Sequence, residues 1–148
     1  METKRELFQT MVKRFGLLNR NCCEVGSLDI SMVQSQILYE ISKRRNAPMQ
    51  EVADALGTDI STFSRQIQNM IKLDLIKKSP SEADKRIYLL SLTEQGKKVA
   101  QEIQKEMESH LDEIFSHMNE FEKETVLRSM ALLNQAMAKS SVCCKPVF

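Results

Sequence analysis

Four glycines, three prolines and no tryptophan in 148 residues leave this chain poor in residues that break regular structure, when glycine and proline together usually make up ~12%. That scarcity excludes a collagen-like or low-complexity chain and predicts a mostly helical one. No uninterrupted apolar run approaches the ~20 residues that a membrane helix needs. The start, Met1-Glu2-Thr3-Lys4-Arg5-Glu6, has no apolar segment behind it. Neither a membrane protein nor a secretory leader is therefore expected, and the expected compartment is the cytoplasm. Internal repeats are also lacking. Hydrophobic residues at 42% and charged ones at 28% suit a single globular domain of this length.

The net charge of +1 is unevenly spread. Residues 1–93 hold 14 Lys/Arg against 11 Asp/Glu, whereas 94–148 hold 7 against 9. Within 60–93, Arg65, Lys72, Lys77, Lys78, Lys85 and Arg86 meet only Asp74, Glu82 and Asp84. A local cationic excess suits a surface that meets phosphate, and a solvated face is the plainer alternative. Charge alone does not separate the two.

Hydrophobic spacing predicts a first helix over 3–20 through Leu7, Met11, Phe15 and Leu18, then a loop over 21–31 with Ser31 as a cap. A second helix carries Val33, Ile37, Leu38 and Ile41 and runs out in the basic stretch before Pro48. Met49 to Leu56 is a short third helix, with Gly57 placed as the residue just past its end. Thr58-Asp59 caps a fourth helix over 60–73, which keeps Ile60, Phe63, Ile67, Met70 and Ile71 on one face. Two short helices joined by a tight turn containing glycine form a helix-turn-helix.

The period then switches to two. Residues 75–78 and 86–92 read as strands around a polar tip, 79–85, which makes a wing. A long helix follows Thr93, with Val99, Ile103, Met107, Leu111, Ile114, Phe115 and Met118 in register. Asn119 and Glu122 form a capping box for a last helix reaching about residue 139. The expected fold is therefore mainly α with a small β-wing: a winged helix-turn-helix over about 31–93, flanked by helices over 1–20 and 94–139, with a tail over 140–148. The nine methionines follow helical stripes and read as core. The long terminal helices carry more apolar surface than a small lobe can cover, which predicts a symmetric homodimer through 1–20 and 94–139.

The face of the fourth helix opposite its apolar stripe carries Ser61, Thr62, Ser64, Arg65, Gln66 and Asn69. These are hydrogen-bonding side chains of the kind that read base edges in the major groove, Arg65 being the best candidate for guanine. No acidic residue occurs between Ile60 and Leu73. Ordinary solvated helices mix both signs, so this favours nucleic acid as the partner.

Asp84-Lys85-Arg86, followed six residues later by Leu92-Thr93-Glu94-Gln95-Gly96, resembles the wing signature of the MarR family of winged helix-turn-helix transcriptional regulators. Ala53-Asp54-Ala55-Leu56-Gly57 and Leu73-Asp74-Leu75-Ile76 add to the resemblance, which spans the whole chain in element order; the family commonly has glycine where Asp74 stands. It implies a homodimer on a pseudo-palindromic double-stranded DNA operator, most simply as a repressor. Asp84 would orient Arg86 into the minor groove, with Lys85 beside it; an ordinary hairpin ion pair is the alternative. The resemblance also implies an effector, in some members an apolar ligand held between the dimer helices and the DNA-binding lobe.

The cysteines form two adjacent pairs, Cys22-Cys23 and Cys143-Cys144. Neighbouring Cα atoms lie ~3.8 Å apart where disulfides prefer ~5.5 Å, so bonding within a pair is strained. In the interlocked dimer that the resemblance implies, thiols of both pairs are expected to form a site for a soft metal or metalloid such as As(III), or an oxidant switch. Ordinary small residues in a loop and tail are the alternative. His110 and His117 are ~10.5 Å apart in helical rise, too far to share an ion, and read as surface pairs with Glu106 and Glu113. A thiol enzyme is disfavoured, since Cys-x-x-Cys and a Gly-rich phosphate loop are both absent. A protein-interaction module that kept the winged fold is the remaining alternative.

Overall fold

A computed structural model describes residues 1–22, 24–26 and 28–142, with 19–22 and 24 as backbone only. The chain runs through α1 (Lys4–Cys22), β1 (Glu24–Val25), β2 (Leu28–Asp29), α2 (Met32–Ser42), β3 (Ala47–Pro48), α3 (Met49–Ala55) and α4 (Ile60–Lys72). It continues through β4 (Ile76–Pro80), β5 (Tyr88–Leu92), α5 (Glu94–Phe115) and α6 (Glu120–Lys139). This is the mainly helical winged fold that the spacing predicts.

Of the helices after α1, all but α3 begin at a residue whose side chain caps them. Ser31 accepts from the Gln34 N–H at 3.1 Å while Gln34 Oε1 accepts from the Ser31 N–H at 3.0 Å, a complete capping box. Asn119 and Glu122 repeat it at α6, at 2.8 and 3.0 Å. Gly57, at φ 64°, closes α3 in a Schellman turn: its N–H reaches the Asp54 carbonyl at 3.1 Å, and the Thr58 N–H reaches that of Ala53 at 3.0 Å.

Three local expectations need correction. The 21–31 loop contains the short antiparallel pair β1–β2. The basic stretch lies past α2, which ends at Ser42, and Ala47–Pro48 forms β3, pairing with Leu90 and Leu89 of β5 in a sheet ordered β3-β5-β4. Two residues carry no measurable period, so such a strand leaves no trace in the pattern. Finally, β4 starts at Ile76 and runs to Pro80, and β5 starts at Tyr88, because Leu75 still serves the cap of α4. Pro80 is tolerated because β4 is an edge strand.

The core lies inside the winged lobe and under the first half of α5. Ile37, Leu38 and Ile41 of α2, Val52 and Ala53 of α3, and Phe63, Ile67 and Met70 of α4 meet Ala47, Leu75, Ile76, Leu90, Leu92, Val99 and Ile103. Among the described residues no polar or charged side chain is buried. Ile60 and Ile71 are exposed instead of buried, since at 100° per residue they stand roughly 50–70° to one side of the arc centred on Phe63, Ile67 and Met70. Val33 at the start of α2 is exposed as well.

The methionine reading is also corrected. Met70 is in the core and Met49 and Met107 pack against it, but Met1, Met11, Met32, Met130 and Met137 are exposed. On α1 and α6 the reason is shared: among the described residues of one chain nothing covers their apolar stripes. Leu7, Phe8, Met11 and Val12 on α1, and Phe121, Leu127, Met130 and Leu132 on α6, are all exposed, and α6 buries none of its residues.

Candidate nucleic-acid interface

The roll of α4 is set by Phe63, Ile67 and Met70, all 1% exposed or less. That anchoring leaves Ser61, Arg65, Gln68 and Asn69 exposed on the outer surface, with Ser64 and Gln66 half-buried beside them. The face carries no carboxylate between Ile60 and Lys72. Asp59 caps the helix, its Oδ1 accepting from the Thr62 N–H at 2.9 Å and its Oδ2 from the Thr62 hydroxyl at 2.7 Å. These two bonds, backbone first, hold the Asp59 carboxyl below the usual range. Thr62 therefore directs its hydroxyl proton at the cap and fixes the helix end. Helical spacing places Gln68 beside this face, and it is exposed there.

The wing tip is tied by two backbone bonds, Ser81 N–H to Ile87 O at 2.7 Å and Ile87 N–H to Asp84 O at 2.9 Å. Inside this turn Asp84 accepts from Arg86 three times: Nε to Oδ1, Nη2 to Oδ2 and the backbone N–H to Oδ1, each at 3.1 Å. The guanidinium, and then the backbone N–H, hold the Asp84 carboxyl below its ordinary value. The fork orients Arg86 without hiding it, for its side chain is 91% exposed. Lys85 is exposed next to it. On β4, Lys78 Nζ stands 4.4 Å from the Tyr88 ring centroid, a contact on the wing that sequence spacing did not single out.

Behind this surface a cavity of about 1060 Å³ opens between α2, α5 and the sheet, with Phe15 of α1 at its edge. Ile41, Leu92, Ala100, Ile103 and Met107 form its apolar lining; Arg44, Arg45, Lys77, Lys97 and Lys105 supply cations, of which Lys97 lies 3.2 Å from Glu94 and Lys105 3.7 Å from Glu102, and no carboxylate is among the described lining residues. Arg44 is held by Glu40 at 2.7 Å and lies 3.7 Å from Glu51.

Among the described residues no group of three or more His, Cys, Asp or Glu is arranged to hold a metal ion. The expected thiolate site lies outside that set: Cys23, Cys143 and Cys144 are not described, and Cys22 is described only as the last backbone position of α1. The histidines pair with their glutamates as spacing predicts, His110–Glu106 at 3.6 Å and His117–Glu113 at 2.9 Å. Among the described residues no helix is long and apolar enough to cross a membrane.

Residues 28–87, which span the helix-turn-helix and the wing up to Arg86, match the sequence model of the MarR family. This winged lobe is similar to that of the MarR family of winged helix-turn-helix transcriptional regulators. The chain's curated relatives include two uncharacterized HTH-type transcriptional regulators of Bacillus subtilis strain 168. YybA is 26% identical over 121 residues, covering 78% of this chain and 81% of that protein. YfiV is 24% identical over 110 residues, covering 74% and 69%. Solved structures share the fold. Streptococcus pneumoniae FabT in complex with DNA superposes with a TM-score of 0.81 at 19% identity, over 90% of this chain and 94% of that one. For apo MarR from E. coli the TM-score is 0.75 at 18% identity, over 90% and 98%. The curated relatives are transcriptional regulators, and in this chain the outer face of α4 is polar and cationic, with no carboxylate between Ile60 and Lys72.

Proposed function

We propose that this chain is a MarR-family regulator, two copies of which form a two-fold homodimer that binds a pseudo-palindromic DNA operator and represses transcription until an effector releases it. The observation that carries this reading is the carboxylate-free outer face of α4 together with an Arg86 that Asp84 holds out into solvent. In the major groove Ser61, Ser64, Arg65, Gln66 and Asn69 meet base edges and phosphates, with Thr62 setting the helix end, and Arg65 takes guanine. Asp84, Lys85 and Arg86 serve the minor groove. Residues 31–93 act as the DNA-binding lobe and 1–20 with 94–139 as dimerisation helices, supported by the exposed apolar stripes of α1 and α6. Half-sites one turn apart then require the two α4 helices to stand ~34 Å apart. The FabT and MepR neighbours, solved with DNA, lend support.

The cavity favours an amphipathic organic anion as effector, with apolar groups against Ile41, Leu92 and Ile103 and its charge toward the cationic rim. Thiol modification, or As(III) capture by Cys22, Cys23, Cys143 and Cys144, is a second mode of release; it rests on the two adjacent pairs in the sequence.

The test begins with a duplex selected by the wild-type protein from a random-sequence pool. Arg65→Ala and Arg86→Ala are each expected to weaken binding by ~5- to 100-fold. Retained affinity in both would instead favour a protein-interaction module. Aromatic carboxylates, arsenite and peroxide, added separately to the complex, distinguish the two modes of release.

A further inference from the structure

One side chain joins the end of α4 to the start of α5. Helix α4 closes in a Schellman turn, with the Asp74 N–H donating to Ile71 O at 2.9 Å and the Leu75 N–H to Met70 O at 3.0 Å. The carbonyls of Asp74 and Leu75 are both taken by Thr93. Its hydroxyl donates to Asp74 O at 2.6 Å, and its N–H donates to Leu75 O at 3.1 Å. The same hydroxyl accepts from the Gly96 N–H at 2.9 Å as the N-cap of α5. Gly96 is buried directly against this turn. A Cβ at 96 would stand 3.0 Å from the Leu75 carbonyl carbon and closer still to its oxygen, so only glycine fits without moving backbone.

We propose that Thr93 and Gly96 are positioning residues that clasp the recognition helix to α5 and so set the spacing at which the two recognition helices meet DNA. This rests on the reading of α4 as the DNA-contacting helix. A simple helix cap needs only an acceptor. Here the hydroxyl proton is committed to the α4 turn while a lone pair serves α5, so each helix end constrains the other. The turn has no slack of its own, because the Leu75 side chain is fully buried and β4 leaves directly from it. The next turns of α5 bring Lys97, Ala100 and Gln104 to the cavity. An occupant that displaces α5 therefore carries α4 with it.

Asp caps helices as well as Thr does, but an ionised carboxylate cannot donate. Thr93→Asp thus keeps the cap and removes the tie, whereas Thr93→Ser keeps both. Affinity is measured on the duplex selected by the wild-type protein and on versions with one base pair inserted or removed between the half-sites. Wild type and Thr93→Ser should discriminate sharply against the altered spacings. Thr93→Asp should lose ~10-fold of that discrimination, as expected for a hydrogen bond lost twice per dimer. Gly96→Ala leaves the cap and wedges a methyl into the clasp; it should flatten the preference in the same way. Unchanged spacing preference in Thr93→Asp, or in Gly96→Ala should the first variant not fold, overturns the clasp. Failure of the wild type to select any duplex instead overturns the DNA reading on which it rests.

Discussion

At Asp74 the backbone stands at φ 59°, a conformation that glycine adopts freely and that other residues reach at a cost. Gly57 occupies the equivalent place after α3. Asp74→Gly should therefore stabilise the fold by about 0.5–1 kcal/mol, measured as a rise in the denaturant midpoint at unchanged slope. Asp59 offers a second residue-level test. Its carboxyl is held below the ordinary value of 3.8 by the Thr62 N–H and hydroxyl. A carboxylate lowered in the folded state stabilises the protein above its unfolded pKa, and that contribution fades as pH falls through the lower, folded value. Wild type should thus exceed Asp59→Ala in stability at neutral pH, with the gap closing below about pH 4. A gap independent of pH in urea unfolding between pH 3 and 7 would contradict this assignment. Residue-level chemistry was readable where it is local: Asp84 and Arg86 are two positions apart, and the turn between them makes their fork. Thr62 shows the limit, since its type suits base contact but its hydroxyl is taken by Asp59.

At the scale of elements, Ser31, Asp59, Thr93 and Asn119 each begin a helix, and each does so through a side-chain oxygen that accepts a bond from the third backbone N–H of the first turn. α6 depends on this most, because it buries no residue within the chain. Asn119→Ala should cost about 1 kcal/mol and speed amide exchange first at Glu122 and Lys123, whose N–H groups the Asn119 side chain and carbonyl accept. The helices of 11 to 22 residues were legible because their period repeats several times, and the seven-residue α3 because Gly57 marks its end. β3 was not, for its two residues acquire strand character only by pairing with β5.

At the scale of the whole molecule, the apolar stripes of α1 and α6 stay exposed among the described residues of a single chain. Burying each Leu or Met there against a second copy would contribute about 1.5–3 kcal/mol. Met11→Glu combined with Leu127→Glu should therefore give a monomer by analytical ultracentrifugation at micromolar concentration and greatly weaken binding to the selected duplex. A double variant that stays dimeric would place the interface elsewhere.

By itself the sequence determined which segments are helical, where they begin, and which residue types are offered to a partner. Those properties follow from interactions within a few residues, so they are written in period, cap and composition. Only the tertiary structure decided the roll of α4, the exposure of five methionines, the cationic lining of the cavity and the meeting of Thr93 with Asp74 and Leu75. Each of these joins residues distant along the chain, and their contact depends on how packed elements are oriented rather than on any local pattern.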